Sequence, residues 1–588
     1  MQFRIIQILF ILFQFVTMQL FAQYKIQGTV VDKYSLEPLP YATVYAGLQS
    51  ALTNEQGQFI LLSDKKIEWV AARYLGYQTD TSYITLGAKN VQLKLNRNQK
   101  KLNQITVSAK EDKEPYKQFI KALRSLNNTN TIRSKSFFRS FTLVDEQFPA
   151  ELFEAYYNID YSKQKIQDLK LKAGHFLLPK QTSFLNISST AILEIFEPFS
   201  YSDGSIFPKT PLSALYWRPL KDEYKIQMST LYESTTDTLI QFTFKGRDTI
   251  NTFSGSLFFN TNKNIITKIN LHANNVTNIP MRPLTDSTNN QFKNLSYDIE
   301  IGFETFKNQQ APKYILMDLN FDKISNQNIN HLTTSLKLVF YDYEQSFQLP
   351  IFRSIVNLSD YQQIAYFPHN AYFFERNTIL LESERELDLK KRFDSIPCFN
   401  SAIKNEDIPF LPKRYLTYTD NFNVDMNLIS DKPNPLSHHR NKNYKYEAKK
   451  ALWDSVFGAT LIYLDYDCYH DTVVIETTPM LDYNFSYLVR NTSNPKDTIA
   501  NDYLKMFLEI SKLGTSRTLW EAKQRFGKEC PTEENMLKLY DKFNQGCELD
   551  IYNLYCNANN ELKYKLHPSM RRYINSSLKY ANSMLEKK

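Results

Sequence analysis

Between residues 136 and 351 the chain alternates apolar and polar side chains in short runs that are separated by polar turns. A period of two is typical of a strand with one buried face. The polar segments 260–264 and 325–328 have the composition of hairpin loops. The pattern therefore predicts a large, curved antiparallel sheet, with strands at 136–143, 151–161, 225–232, 238–245, 253–259, 265–272, 297–303, 314–321, 332–341 and 345–351.

The length of 588 residues is too great for one hydrophobic core, because such cores stop growing at roughly 250–300 residues. Aromatic residues make up 14% of the chain, whereas there are only 14 glycines. That composition favours half-buried strands over glycine-rich phosphate loops. We therefore expect several domains and a mainly β fold with helices.

The N-terminal segment 1–22 has the layout of a cleavable signal peptide. One cation, Arg4, precedes an apolar run, and the small residue Ala22 precedes Gln23. Glutamines interrupt the run, which makes a retained membrane anchor the less favoured alternative. We expect a mature chain that begins at Gln23, has no transmembrane span, and is periplasmic or associated with the outer membrane.

Residues 24–109 read as a small β-sandwich of short, regularly spaced strands. Proline and glycine mark the turns, and Gly57 is expected to adopt a positive φ in a tight hairpin. The expected strands are 25–31, 42–46, 58–62, 67–73, 79–85, 90–95 and 104–109.

Several short motifs in this region occur in the order found in a known family. They are Gly28-Thr-Val-Val-Asp32, Pro38-Leu39 with Ala42-Thr-Val44, Thr53-Asn-Glu-Gln-Gly-Gln-Phe59 and Leu75-Gly-Tyr77. The segment resembles the carboxypeptidase regulatory-like domain, a transthyretin-like β-sandwich without catalytic residues. The resemblance implies that Asp32 caps the first turn, that residues 53–59 form a hairpin, and that Gly76 and Tyr77 begin a closing strand.

The next region carries a second resemblance. Phe137-Phe-Arg-Ser140, Glu154-Ala155, Gly255-Ser-Leu-Phe-Phe259 and Phe367-Pro-His-Asn370 are similar to the region that follows the sandwich in a group of exported Gram-negative envelope proteins. With a helix at 115–126, we expect one β-rich domain over residues 110–430.

The C-terminal part is predicted to be rich in helix. Segment 431–443 is rich in proline and polar residues and predicts a linker to a domain at 444–588. Strands are expected at 459–466 and 472–478, and helices at 446–456, 499–513, 518–526, 531–543 and 568–585.

The charge pattern does not favour nucleic acid. The formal net charge is +8, but basic residues are interspersed with acidic ones, whereas nucleic-acid binding requires a basic stripe or face. The densest basic stretch, 440–450, reads as a solvated linker; a phosphate or lipid-headgroup patch is the alternative.

The eight histidines do not form a zinc motif, since neither His-x-x-Glu nor His-Glu-x-x-His occurs. Cys468 and His470 share one strand, where a thiolate and a base could act together, but such side chains point in parallel rather than converge. His438 and His439 read as a solvated pair.

The five cysteines all lie in the last third of the chain: Cys398, Cys468, Cys530, Cys547 and Cys556. The last three could supply a disulfide, and the odd number leaves at least one thiol unpaired.

Arg139 and Glu154 lie on neighbouring predicted strands and are expected to form a structural ion pair rather than a catalytic one. We assign no catalytic, cofactor-binding or metal-ligating residue. The sequence favours a non-enzymatic cell-envelope binding or assembly protein whose partner is a protein, a lipid or a glycan. Its high aromatic content predicts an aromatic-lined concavity in the middle domain. The alternative is a periplasmic hydrolase of peptide or glycan; glycan cleavage would need two carboxyl groups facing each other across a cleft.

Overall fold

A computed structural model describes most of the chain beyond its N-terminal segment. The described residues are 24–47, 49–63, 66–84, 90–97, 113–126, 130–162, 165–180, 185–186, 198–199, 206–233, 238–248, 250–278, 282–283, 291–325, 328–353, 357–403, 408, 411–418, 422–432, 456–469, 472–488, 497–526, 529–557 and 568–586. The predicted signal peptide 1–22, the strand 104–109, most of the linker 431–443, the helix up to 455, His438, His439 and His470 lie outside them.

The described chain is mainly β and divides into two compact units. The first contains residues up to 346 together with 370–399. The second contains residues 347–369 together with those from 400 onward. The predicted division at 431–443 stays a prediction.

The N-terminal sandwich of the first unit has two sheets. One has the order β4-β1-β7 and the other β3-β2-β5-β6. Its core is built from side chains such as Val30, Phe59 and Leu93, none of which is exposed. The strands are β1 (Tyr24–Asp32), β2 (Thr43–Ala46), β3 (Gln49–Leu52), β4 (Gln58–Ser63), β5 (Trp69–Arg73), β6 (Asp80–Tyr83) and β7 (Asn90–Leu95).

Two details of the sandwich differ from the sequence prediction. Residues 53–59 join β3 to β4, which belong to different sheets, so this segment is a connection between sheets rather than a hairpin. Gly76 and Tyr77 lie in a turn before β6 rather than at the start of a strand. The positive φ expected at Gly57 is present, at 70°, and Asp32 caps its turn by accepting hydrogen bonds from the amides of Tyr34 and Ser35.

The predicted large sheet has eleven strands in the order β12-β13-β14-β15-β17-β18-β19-β8-β9-β10-β20. Its antiparallel strands β8 to β19 include nine of the ten that the sequence predicts. The predicted strand 345–351 is not part of this sheet: residues 345–350 form no strand, and Ile351 makes only an isolated bridge to Leu464.

The strands of this sheet, and a short pair formed by β11 and β16, have the following bounds: β8 (Ile132–Val144), β9 (Phe148–Ser162), β10 (Lys165–Pro179), β11 (Leu185–Asn186), β12 (Tyr224–Glu233), β13 (Thr238–Gly246), β14 (Ser254–Asn260), β15 (Ile265–Val276), β16 (Arg282–Pro283), β17 (Gln291–Phe306), β18 (Gln309–Ser325), β19 (Asn328–Tyr341) and β20 (Cys398–Asn400).

The two faces of the large sheet differ in chemistry. Directly opposed residues of neighbouring strands share a face, and one face carries a polar row formed by His175, Glu154, Arg139, Lys337, Leu316, Glu300, Asn270 and Ser256. The other face carries a buried apolar row formed by Ala155, Phe138, Leu338, Ile315, Ile301, Ile269 and Leu257.

Helices of the first unit cover both faces. Helix α1 (Glu114–Ser125) packs on the apolar face, where the ring of Phe119 lies 5.5 Å from that of Phe242. Short α2 (Trp217–Glu223) contacts α1. Two further helices, α4 (Ala371–Arg376) and α5 (Glu384–Asp394), belong to the same unit. Helix α5 packs on the polar face, with Leu389 and Phe393 against Phe141 and Leu152.

The second unit combines a small sheet with helices. The sheet has the order β21-β23-β22 and contains β21 (Tyr415–Thr417), β22 (Val456–Tyr469) and β23 (Thr472–Leu488). The helices are α3 (Asp360–Tyr366), α6 (Asp497–Phe526), α7 (Glu533–Asn557) and α8 (Pro568–Glu586). The two helices predicted at 499–513 and 518–526 are one continuous helix. None of the described helices is long and apolar enough to cross a membrane.

Candidate functional site

A cleft of about 500 Å³ lies between the sandwich and the polar face of the large sheet, within the first unit. The sandwich contributes Tyr41 and the turn from Arg73 to Tyr77. The sheet contributes residues of β14, β15, β17 and β18 near the ends of those strands. Ligand sites in proteins have volumes of this order, typically 300–1,000 Å³. The cleft is therefore large enough to be a binding site.

The sandwich wall of the cleft is aromatic. The rings of Tyr74 and Tyr77 meet edge to face, with their centroids 5.5 Å apart. The hydroxyl of Tyr77 donates a hydrogen bond of 2.8 Å to Asp32, and Arg97 donates to the same carboxylate. Tyr77 is thus fixed to the turn that Asp32 caps. Burial raises the pKa of Tyr74 to about 12, so this side chain is neutral at physiological pH.

The sheet wall is built around Tyr314, which is buried. Its ring lies across Gly302 on the neighbouring strand, where a β-carbon would approach the ring to 2.5 Å. Its hydroxyl donates a hydrogen bond of 2.8 Å to Glu300. The ring of Tyr41 from the sandwich lies 5.2 Å from it. Gly302 therefore provides the space that lets an aromatic ring line the cleft.

Four cationic side chains line the same cleft: Arg73, Lys263, Lys268 and Lys313. Glu304 is the one carboxylate among the described lining residues, and it is bound by Arg73 and by the hydroxyl of Tyr343. The facing carboxyl pair needed for glycan cleavage is not found among those residues.

A second polar site, the buried ion cluster, lies further along the polar face. It consists of Arg139, Glu154, Glu382, Glu386 and Lys390. The Nε atom of Arg139 donates to Oε1 of Glu154 at 2.6 Å, as expected from the sequence, and Lys390 lies 3.0 Å from the same oxygen. Opposite charges buried together in this way hold the sheet and α5 in one arrangement.

The ion cluster also reaches the sandwich. Lys337 lies 3.1 Å from Glu386 and 2.8 Å from Glu55, which belongs to the 53–59 connection. Burial alone would raise the pKa of Glu386, but Arg139 and Lys337 overcome it and hold that pKa below the ordinary value. The same balance, with Arg139 and Lys390 as the cations, keeps the pKa of Glu154 well below its ordinary range. The cluster is thus charged at neutral pH and acts as a structural joint.

Cys468 is not available as a nucleophile, because it forms a disulfide with Cys530. The two Cα atoms are 5.5 Å apart, within the usual range for a disulfide. The pairing joins β22 to the segment before α7, rather than linking two of the three C-terminal cysteines. Cys398 and Cys547 form no disulfide; their thiols donate hydrogen bonds to the carbonyl oxygens of Phe393 and Ile510.

No group of three or more potential metal ligands occurs within the described parts of the chain. The basic stretch 440–450 lies outside those parts, as do the paired histidines at 438 and 439.

The sequence predicted an aromatic-lined concavity within the middle domain, whereas half of the aromatic lining of this cleft, namely Tyr41, Tyr74 and Tyr77, comes from the sandwich. The walls of the cleft come from a turn at residues 73–77 and from strands beyond residue 230, so no local spacing signals their meeting. The isolated Gly302 in an alternating strand, which commonly marks a close approach, is the one local signal that could have been followed.

Comparison with known proteins adds one finding. Residues 26–107 match the family described as the CarboxypepD_reg-like domain. No curated protein and no solved structure matches the chain. The matched segment includes the described strands of the two-sheet sandwich from residue 26 onward and the motifs from Gly28 to Tyr77. This chain therefore carries a CarboxypepD_reg-like domain at residues 26–107, a β-sandwich that forms one wall of the cleft.

Proposed function

We propose that this protein is a non-enzymatic binding or assembly protein of the cell envelope, and that it holds its ligand in the cleft between the sandwich and the large sheet. The observation that carries the proposal is the lining of the cleft, in which tyrosine rings and cationic side chains converge in about 500 Å³. Apolar or aromatic walls with a few placed polar groups are the usual composition of a ligand site.

Two features support an exported protein. The first is the predicted signal peptide at residues 1–22. The second is the disulfide between Cys468 and Cys530, since stable disulfides form in oxidising compartments such as the periplasm. Fractionation of cells and N-terminal sequencing would test this part: we expect a chain that begins at Gln23 in the periplasmic or outer-membrane fraction. An intact Met1 would contradict it.

Binding is tested with the mature chain and a panel of neutral and acidic oligosaccharides, phospholipid vesicles and short peptides. We expect at least one class to raise the melting temperature, because a ligand that binds the folded state stabilises it. Tyr74→Ala should abolish that increase. Tyr83→Ala is the matched control, because Tyr83 is a tyrosine of the same sandwich that is 80% exposed and does not line the cleft.

Two outcomes would contradict the proposal. One is a ligand-induced increase that Tyr74→Ala leaves unchanged, which would place binding elsewhere. The other is the release of a cleavage product that disappears in Glu304→Gln, which would favour the alternative, a hydrolase of peptide or glycan. Mass spectrometry of the incubated panel measures the second outcome.

A further inference from the structure

The charges around the cleft do not balance. Each oxygen of the carboxylate that lines the cleft and of the one behind it already has a partner. Glu304 binds Arg73 and Tyr343, and Glu300, which does not line the cleft, binds Lys268 at 2.5 Å and Tyr314 at 2.8 Å. Lys263 and Lys313 have no carboxylate within 4.0 Å among the described residues. The cleft therefore retains two cations that its own acids do not neutralise.

Lys313 is the more informative of the two, because it is only partly exposed, whereas Lys263 is on the surface. Its Nζ lies 6.0 Å from the centre of the Tyr314 ring. Burial lowers the pKa of Lys313 to about 8, against the opposing effect of Glu304 and together with the repulsion of Arg73. A partly buried cation without a paired anion is less favourable than one that a ligand's anion neutralises.

We propose that the ligand of the cleft is an acidic carbohydrate, a sugar that carries a carboxylate or a phosphate, and that its anionic group pairs with Lys313. The inference rests on the proposed function, since it identifies the class of ligand that the same cleft holds.

The rest of the lining explains why a sugar fits better than a bare anion. Tyrosine rings such as Tyr74 and Tyr77 offer flat apolar surfaces with a polar edge, against which the faces of a sugar ring can pack. Thr79 and Thr305 bring hydroxyl groups that can donate and accept hydrogen bonds with sugar hydroxyls. An inorganic anion would use the cations alone and leave these groups without a role.

The proposal makes a specific statement about pH. The groups that face Lys313 are Glu304 from β17, Arg73 from β5, Tyr314 from its own strand, and Tyr343, which binds Glu304. Burial holds the pKa of both tyrosines well above the ordinary value, so they stay neutral between pH 7 and 9.5. A bound anion favours protonated Lys313 and raises its pKa. Affinity should therefore be greatest below pH 8 and fall above it, by up to about tenfold per pH unit.

The experiment compares matched ligands on the full mature chain by titration calorimetry. One pair is trigalacturonic acid and its methyl ester, which has the same length without the charge. The second pair is maltotriose with and without a phosphate at O6, which separates a carboxylate site from a phosphate site. We expect at least one charged probe to bind about tenfold or more tightly than its neutral partner, as expected for a charge-assisted hydrogen bond.

Lys313→Met should remove that preference and its dependence on pH. Lys323→Met is the matched control, because Lys323 lies on the same strand, is buried with a lowered pKa, and does not line the cleft. Equal binding of charged and neutral probes, or a preference that survives Lys313→Met, would overturn the inference and leave the cleft as a binding site for another ligand. Failure of both charged probes to bind also overturns it; the proposed function is then decided by the Tyr74→Ala comparison with peptides and lipids.

Discussion

At the scale of single residues, two glycines of the sandwich have the same backbone conformation in different surroundings. Gly57 has a φ of 70° and Gly47 a φ of 61°, both in the left-handed region. A β-carbon at Gly57 would lie 2.6 Å from the carbonyl oxygen of Val30, whereas at Gly47 it would meet nothing within 4 Å. The pair separates the effect of conformation from that of steric contact.

Gly57→Val should therefore destabilise the sandwich more than Gly47→Val. Both substitutions place a β-branched residue at a positive φ, which costs about 1–3 kcal/mol. Only Gly57→Val also brings a β-carbon against the carbonyl oxygen of Val30, so that the backbone of β1 must move. Hydrogen exchange of the sandwich amides in the full chain measures the difference. Equal losses of protection in the two variants would mean that the approach of Val30 does not constrain the turn.

At the scale of elements, alternation was a reliable guide to strands but not to their partners. It predicted β8, β9, β12 to β15 and β17 to β19, yet it missed β10. A register shift between Leu171 and Ala173 moves the positions on the apolar face from Leu169 and Leu171 to Gly174 and Phe176, which breaks the period of two. The sequence pattern also divided α6 near Gly514, although glycine within a helix costs only about 1 kcal/mol relative to alanine.

Contacts near in sequence were predictable, and distant ones were not. The pairing of Arg139 with Glu154 follows from neighbouring strands joined by a short turn. Lys390, which completes the ion cluster, is 236 residues from Glu154, and no local pattern marks it. The same reason explains why the walls of the cleft could not be predicted.

The disulfide between Cys468 and Cys530 is expected to stabilise the second unit. It closes a chain segment of 62 residues in the second unit, and constraints of this kind typically contribute 2–4 kcal/mol. We expect a reducing agent to lower the melting temperature of the wild-type chain. The double variant Cys468→Ala with Cys530→Ala should melt lower and not respond to the reductant, whereas Cys398→Ala should respond like the wild type. A wild type that is insensitive to reduction would show that the bond does not stabilise this unit.

At the scale of the whole molecule, the buried ion cluster makes the stability of the first unit depend on pH. Glu154, Glu382 and Glu386 all have lowered pKa values in the folded chain, each against the effect of burial. A carboxylate of this kind contributes stability above its unfolded pKa of about 4.5 and loses it as the pH falls through its folded pKa. Acid should therefore weaken the joint between the sheet, α5 and the sandwich.

Glu386→Gln tests this dependence selectively. The glutamine can still accept the hydrogen bond from the amide of Ser383 that closes the capping box of α5, but it cannot pair with Lys337 or Arg139. Between about pH 5 and 3 the free energy of unfolding should fall less steeply than in the wild type, by up to about 1.4 kcal/mol per pH unit. Glu384→Gln, on the exposed side of the same helix, should keep the wild-type slope. If the free energy of unfolding fell equally steeply with pH in the wild type and both variants, Glu386 would not be a source of the acid sensitivity.

The ion cluster also sets an order of events while the chain is synthesised and folds. Arg139 and Glu154 emerge first, whereas Glu382, Glu386 and Lys390 follow more than 220 residues later, within the segment 370–399 that returns to the first unit. Until that segment arrives, the buried guanidinium has only one of its three acidic partners. The sheet therefore cannot reach its final charge balance before residue 390 has been synthesised, and a fragment that ends at residue 346 would carry an incompletely neutralised arginine on its polar face.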